Sequence, residues 1–462
     1  MQIENLRTQV SALMPEMLDQ LCAAVAIPSV SLPGYPREPI RDMANHAAQL
    51  LTISGAPRTE LIEIPHGNPV VYADVPGPVG SPTVVLYAHY DVQPASPAQG
   101  WATDPWTATW GQDKRLYGRG VADDKSGLIM HAATLRIFGG HPPVNLKIII
   151  EGEEETKSNL AQALHNEMGL ENAAAVVIAD MGNLSVGKPA ITCSLRGVAS
   201  CLARVKTLTF DTHSGLFGGP TPDALTALLQ TLSSLHDQTG SIVVDKLTTG
   251  NWQDPNVDEN WLRASAGIED SSSLNGVGPI ASRLWTNPAI SVLGIDVPSV
   301  DESSNVLHAT ATAKISIRTA PTADSDEELT AVIDHLRNHR PHWAEIEFER
   351  LGAARGLAPQ ALDSAVYSVA REAMSASFDG HPTEMIGSGG AVPAANLLRD
   401  IAPSAATILW GAEDVAQSQI HGPNESIDPF ELERMILAQC IFLADMGSRF
   451  TRNGVTNGVN HT

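Results

Sequence analysis

Short, nearly continuous apolar runs alternate with longer amphipathic stretches through the first part of the chain. TVVLYAH (83–89) is a β-rich run, and after a long loop DDKSGLIMHAATLRIF (123–138) has helical spacing. VNLKIII (144–150), AAAVVIA (173–179) and AATILW (405–410) are again short and apolar on both faces, as expected of central strands covered from both sides. This pattern predicts an α/β fold with a mainly parallel sheet sandwiched by helices.

From Ser194 to about Gly352 the texture changes to strict alternation, as in VLHATATAKISIR (306–318), which predicts strands with one covered and one open face. A helix is predicted to start at a capping box formed by Ser325 and Glu328, to run on as ELTAVIDHLRNH, and to be followed by the strand AEIEFERL (344–351). We therefore expect an inserted α+β two-layer domain over 194–353, between catalytic segments 1–193 and 354–462. The polar tail from about Arg449, with two Asn-Gly pairs, is expected to be loose.

A chain of 462 residues exceeds what one core usually serves, in keeping with two domains. Its formal net charge of −23 argues against nucleic acid and anionic membranes as partners. Residues 1–21 lack the basic start and apolar middle of a secretory leader, and no apolar run approaches a bilayer span. Cys22, Cys193, Cys201 and Cys440 are scattered, which suggests neither a disulfide framework nor a thiolate metal site. A cytoplasmic protein is expected.

Chemistry concentrates at the predicted strand ends. His89 and Asp91 follow TVVLYA, yet an isolated HxD is commonly a loop hydrogen-bond pair. Asp123 and Asp124 open a helix, where an acid is often only a cap. The run EGEEE (151–155) follows VNLKIII, and acidic runs are usually solvated, although three adjacent carboxylates at a sheet end repel unless a cation sits among them. Asp180 ends AAAVVIAD, and His421 lies about ten residues beyond AATILW. Taken together, His89, Asp123, Glu154, Glu155, Asp180 and His421 all fall past the carboxyl ends of predicted parallel strands, where open α/β sheets gather ligands. Mixed imidazole and carboxylate donors suit zinc, and two ions sharing a carboxylate would use these acids economically.

These stretches resemble the co-catalytic zinc peptidase family that includes carnosinase-type dipeptidases, aminoacylase, acetylornithine deacetylase, succinyl-diaminopimelate desuccinylase and glutamate-releasing carboxypeptidase. HYDVQPA (from His89), WATDPW (from Trp101), LYGRGVADDKSG (from Leu116), EGEEETKS (from Glu151) and DTHSGLFGG (from Asp211) carry the likeness, which is nearest to the dipeptidase branch. The resemblance implies two zinc ions per subunit, with manganese or cobalt as substitutes: His89 and Asp180 on one, Glu155 and His421 on the other, and Asp123 bridging. It makes Glu154 the general base and Asp91 the carboxylate that orients His89. His213 would stabilise the tetrahedral oxyanion, reaching across to the partner's site in dimeric relatives. Arg318 would grip the substrate carboxylate, helped by Gly389 and Gly390, and Asn305 would touch substrate. The inserted domain is then a lid and dimerisation domain of a homodimer, and the substrate a dipeptide or an N-acyl amino acid.

The chain departs from the dipeptidase pattern in IGSGGAVP (from Ile386), where Gly387 and Ser388 replace an Arg-Glu pair and Ala391 replaces a serine; His308 stands for a proline. These changes bear on substrate preference. Dipeptide hydrolysis is the first expectation, deacylation of an N-acyl amino acid by the same metal centre the second, and a catalytically inactive binding relative the third.

Overall fold

The computed structural model describes residues 3–164, 168–252 and 255–451, so the predicted loose tail lies outside the described residues beyond Thr451. The final helix, Pro429–Phe450, extends into the stretch expected to be loose, and Arg449 pairs there with Glu372 and Asp445.

The chain divides into two compact units, one of residues 1–193, 360–386 and 392–462 and the other of residues 194–359 and 387–391. The first is built on an eight-stranded sheet in the order 58–62, 70–75, 145–151, 83–89, 175–178, 406–409, 190–195 and 384–388. Its centre is parallel: Thr83–His89 runs with Asn145–Glu151 and with Ala175–Ile178, which runs with Ala406–Leu409. Antiparallel pairs flank this centre on both sides. The four parallel strands are the apolar runs picked out above. They are apolar on both faces because helices cover them, and Lys125–Ile137 is buried along its length from Lys125 to Leu135. That helix packs against the strand 83–89 and against the helices Ile3–Val25 and Pro429–Phe450.

The second unit has a four-stranded antiparallel sheet in the order 289–296, 310–319, 197–206 and 346–354. Ala199, Cys201, Ala203 and Val205 alternate inward with Ala311, Ala313, Ile315 and Ile317, and pack with Leu228 of Ala224–Leu232 and Leu329 of Ser325–His339. Arg318 occupies the intervening positions of its strand, opposite Val198. The predicted capping box does not form. Asp324, one residue earlier, accepts from the amides of Asp326 and Glu327, while Ser325 donates to the carbonyl of Ala354 and Glu328 accepts from the amide of Thr248. No helix among the described residues is long and apolar enough to cross a membrane.

Candidate metal centre and substrate-binding residues

Because the central strands are parallel, their carboxyl ends lie on one edge, and the acids and imidazoles that follow them converge there. His89 is the last residue of its strand, Asp180 follows Ile178, and Glu154 and Glu155 follow Glu151. His89, Asp123 and Asp180 form one group whose donor atoms could hold a cation, and Asp123, Glu155 and His421 form a second. Asp123 belongs to both, one oxygen for each: Oδ1 lies 2.9 Å from His89 Nε2, and Oδ2 lies 2.9 Å from His421 Nε2. His89 Nε2 is 3.8 Å from Asp180 Oδ1. His421 Nε2 is 3.2 Å from Glu155 Oε1, a buried oxygen that no hydrogen bond satisfies among the described residues. An orphaned acceptor at a cluster of acids and imidazoles is what a divalent cation fits, and the donor set suits zinc or a similar ion.

The neighbouring acids divide the supporting work. Asp124, not Asp123, is the helix cap: its carboxylate accepts from the amide of Gly127 and from that of His89, which pins the turn to the strand. Asp91 does more than face His89. The ring's Nδ1 meets the Asp91 carbonyl at 3.0 Å, with Asp91 Oδ1 farther away at 3.5 Å. The Asp91 carboxylate instead accepts from the amides of Glu154 and Glu155 and from the Ser31 hydroxyl. Gln93 of the HYDVQPA stretch donates to Glu155 Oε2 at 2.7 Å.

Electrostatics at the site follow from burial and crowding. Burial opposes a charge on His89, but hydrogen bonds to Asp123, Asp180 and Asp91 outweigh it and hold the imidazole pKa well above its ordinary value. His421 is raised to about 10, because Asp123 and Glu155 overcome its burial. Burial, then the charges of Asp123 and Glu155, push Asp180 up to about 6. Burial, followed by Asp180 and other acids, holds Glu154 well above the carboxylate range. Two further groups carried no signal in the sequence. Glu413 is buried beside these acids with Oε1 unsatisfied among the described residues, and the ion pair Arg119–Glu425 lies beneath the turn that carries Asp123.

In the second unit, His213 Nδ1 accepts from the amide of Gly215 at 3.0 Å, which fixes the tautomer with Nε2 as donor. Asn305 is its neighbour through the backbone, since its carbonyl accepts from the amide of Ser214 at 2.9 Å. The guanidinium of Arg318 has no hydrogen bond or ion pair among the described residues, and burial lowers its pKa. Arg196, which sequence reasoning missed, is close enough that its pKa falls to about 10, first from burial and then from the Arg318 charge. Its amide donates to the Ser388 carbonyl, and a Cβ on Gly389 would stand 2.6 Å from its Nη2, so a side chain there would push the guanidinium aside. The departures have local causes too. A Cβ at Gly387 would stand 2.6 Å from that of Trp285, and the His308 amide, which a proline would lack, donates to the cap residue Asp223 at 2.8 Å.

The sequence pattern of Peptidase family M20/M25/M40 matches residues 85–444. A protein of Corynebacterium striatum named cysteinylglycine-S-conjugate dipeptidase is 33% identical over 378 residues, covering 80% of this chain and 82% of its own. The Beta-Ala-His dipeptidase of Rattus norvegicus is 30% identical over 459 residues, covering 92% of each chain. Human carnosine dipeptidase 1 superposes with a TM-score of 0.82 at 26% identity, over 96% of this chain and 99% of that one. The Saccharomyces cerevisiae dipeptidase Dug1p shares the fold, with a TM-score of 0.83 at 24% identity over 97% of this chain and 99% of its own. With a match that spans most of its length and encloses every donor of both ligand groups, the chain belongs to Peptidase family M20/M25/M40.

Proposed function

We propose that the protein is a dinuclear zinc dipeptidase, cutting the amide bond of a dipeptide whose terminal carboxylate is free. The observation that carries this reading is the sharing of Asp123 between two ligand groups, one oxygen for each. His89 and Asp180 would hold one zinc ion with it, and Glu155 and His421 the other. Zinc bound there would supply Lewis acidity, lowering the pKa of water and polarising the scissile carbonyl.

The chain's own residues do the rest. Glu154 takes the proton of the attacking water and delivers it to the leaving amine. Asp91, through the two amides it accepts, holds Glu154 and Glu155 in place. His213 donates from Nε2 to the oxygen on which charge builds. Arg318 receives the substrate carboxylate, Arg196 adds a second positive charge, Gly389 and Gly390 lie in the loop beside that anion, with the Gly390 amide held by the Ser388 hydroxyl at 3.0 Å, and Asn305 contacts the substrate. A homodimer is the finer part of the reading, formed through the edge strand Ala289–Asp296, where Val292 and Leu293 are exposed. A cytoplasmic location is in keeping with four cysteines that are all free.

The test is a panel assay on protein loaded with zinc or cobalt, offering free-acid dipeptides, the same dipeptides as C-terminal amides, and N-acyl amino acids. We expect turnover of the free acids and little of the amides. Preference for N-acyl amino acids would replace the reading with deacylation, and no hydrolysis of any of them would leave only a binding role.

A further inference from the structure

The two ligand groups are carried by different kinds of backbone. His89 and Asp180 sit at strand ends, whereas His421 rides a loop, with its side chain 54% exposed. That loop has left-handed backbone at Gln419 (φ 49°), His421 (φ 63°) and Asn424 (φ 60°), which non-glycine residues seldom hold without outside support.

The support has one centre. Glu425 is fully buried; its Oε2 accepts from Arg119 Nη1 at 2.7 Å and from the Gly120 amide at 2.9 Å. Its Oε1 accepts from the amides of Ala122 and Asp123 at 3.0 and 3.1 Å. Arg119 then reaches with Nη2 to the carbonyl of Gly422, the residue after His421, at 3.0 Å. Its guanidinium lies 5.3 Å from the ring centre of Trp101, and the next residue, Ala102, donates its amide to Asn424 Oδ1 at 2.7 Å. The stretches WATDPW and LYGRGVADD, which the catalytic roles leave largely unexplained, thus close a ring from Asp123 through Glu425 and Arg119 to the backbone beside His421. Asp123 has a second anchor through Asp124, whose Oδ2 accepts from the His89 amide at 3.1 Å, so cutting the ring frees His421 more than Asp123.

We propose that Arg119 and Glu425 are positioning residues that fix His421 against Asp123, and so set the affinity of the ion held by Asp123, Glu155 and His421 while leaving the ion at His89 and Asp180 to the strands. The proposal rests on the dinuclear reading. Supporting groups of this kind typically change metal affinity by about 10- to 100-fold.

Metal-free protein titrated with zinc alone, by calorimetry and equilibrium dialysis, separates the two. The unaltered protein takes up two equivalents; if it takes up only one, the dinuclear reading fails and this proposal with it. Arg119→Lys is expected to bind the first equivalent as before and the second about 10- to 100-fold more weakly. Asn424→Gly, at a partly exposed position where glycine keeps the backbone conformation, should weaken the second equivalent in the same direction with the core untouched. Two equivalents bound as tightly as in the unaltered protein by both variants, or both equivalents weakened alike, would overturn the proposal while the dinuclear reading stands. Should Arg119→Lys fail to fold, Asn424→Gly decides alone.

Discussion

Glu154 is tied down through its backbone, its amide bonded to Asp91, while its carboxylate sits among the other acids. Glu154→Gln keeps the shape and removes the proton acceptor, so hydrolysis should fall by about 100- to 10,000-fold while zinc stoichiometry, read by metal analysis of dialysed protein, stays as it was. Activity within a factor of ten of the unaltered protein would sink the assignment. At this scale, legibility in the sequence followed spacing. His89, Asp123, Glu154, Glu155 and Asp180 stand at or just beyond apolar strands or at a helix start, so their shared position marked them as a set, while the role of each came only with the family resemblance. Arg196 and Glu425 did not stand out, because what makes them matter is contact with residues far along the chain: Ser388 for Arg196, and Arg119 for Glu425.

Among the elements, the helix Lys125–Ile137 carries a titratable group that its burial makes useful. Burial lowers His131 to about 4 from 6.5, so it stays neutral in the fold while the unfolded chain takes up its proton below 6.5. The unfolded state then binds more protons, and the stability tied to His131 is whole above pH 6.5 and drains away as pH falls towards 4. His131→Gln keeps a donor for the Tyr87 carbonyl and removes the titration. In urea unfolding of metal-free protein, the unaltered chain should lose up to about 1.4 kcal/mol more per pH unit than the variant across that window. Parallel stability curves would refute it. The strands of the first unit were legible because burial on both faces writes an unbroken apolar run. The start of the Ser325–His339 helix was misjudged by one residue, because Asp324 and Ser325 are both good caps and only the tertiary fold turns the serine towards Ala354.

For the molecule as a whole, the edge strand Ala289–Asp296 leaves Leu293 61% exposed with no neighbouring strand on one side among the described residues. If it is the seam of a homodimer, light scattering gives twice the chain mass, and Leu293→Lys returns single chains. A monomer before any substitution would end that part of the reading. Arg318 has one more consequence. Its guanidinium, without a partner among the described residues, belongs to a molecule with a formal net charge of −23, so if Arg318 receives an anion, the far field opposes what the near field attracts. Salt shortens the reach of that far field from about 10 Å at 0.1 M to about 3 Å at 1 M and touches a half-buried contact much less. Capture of an anionic ligand should therefore quicken in brine, the reverse of an enzyme whose surface draws its ligand in.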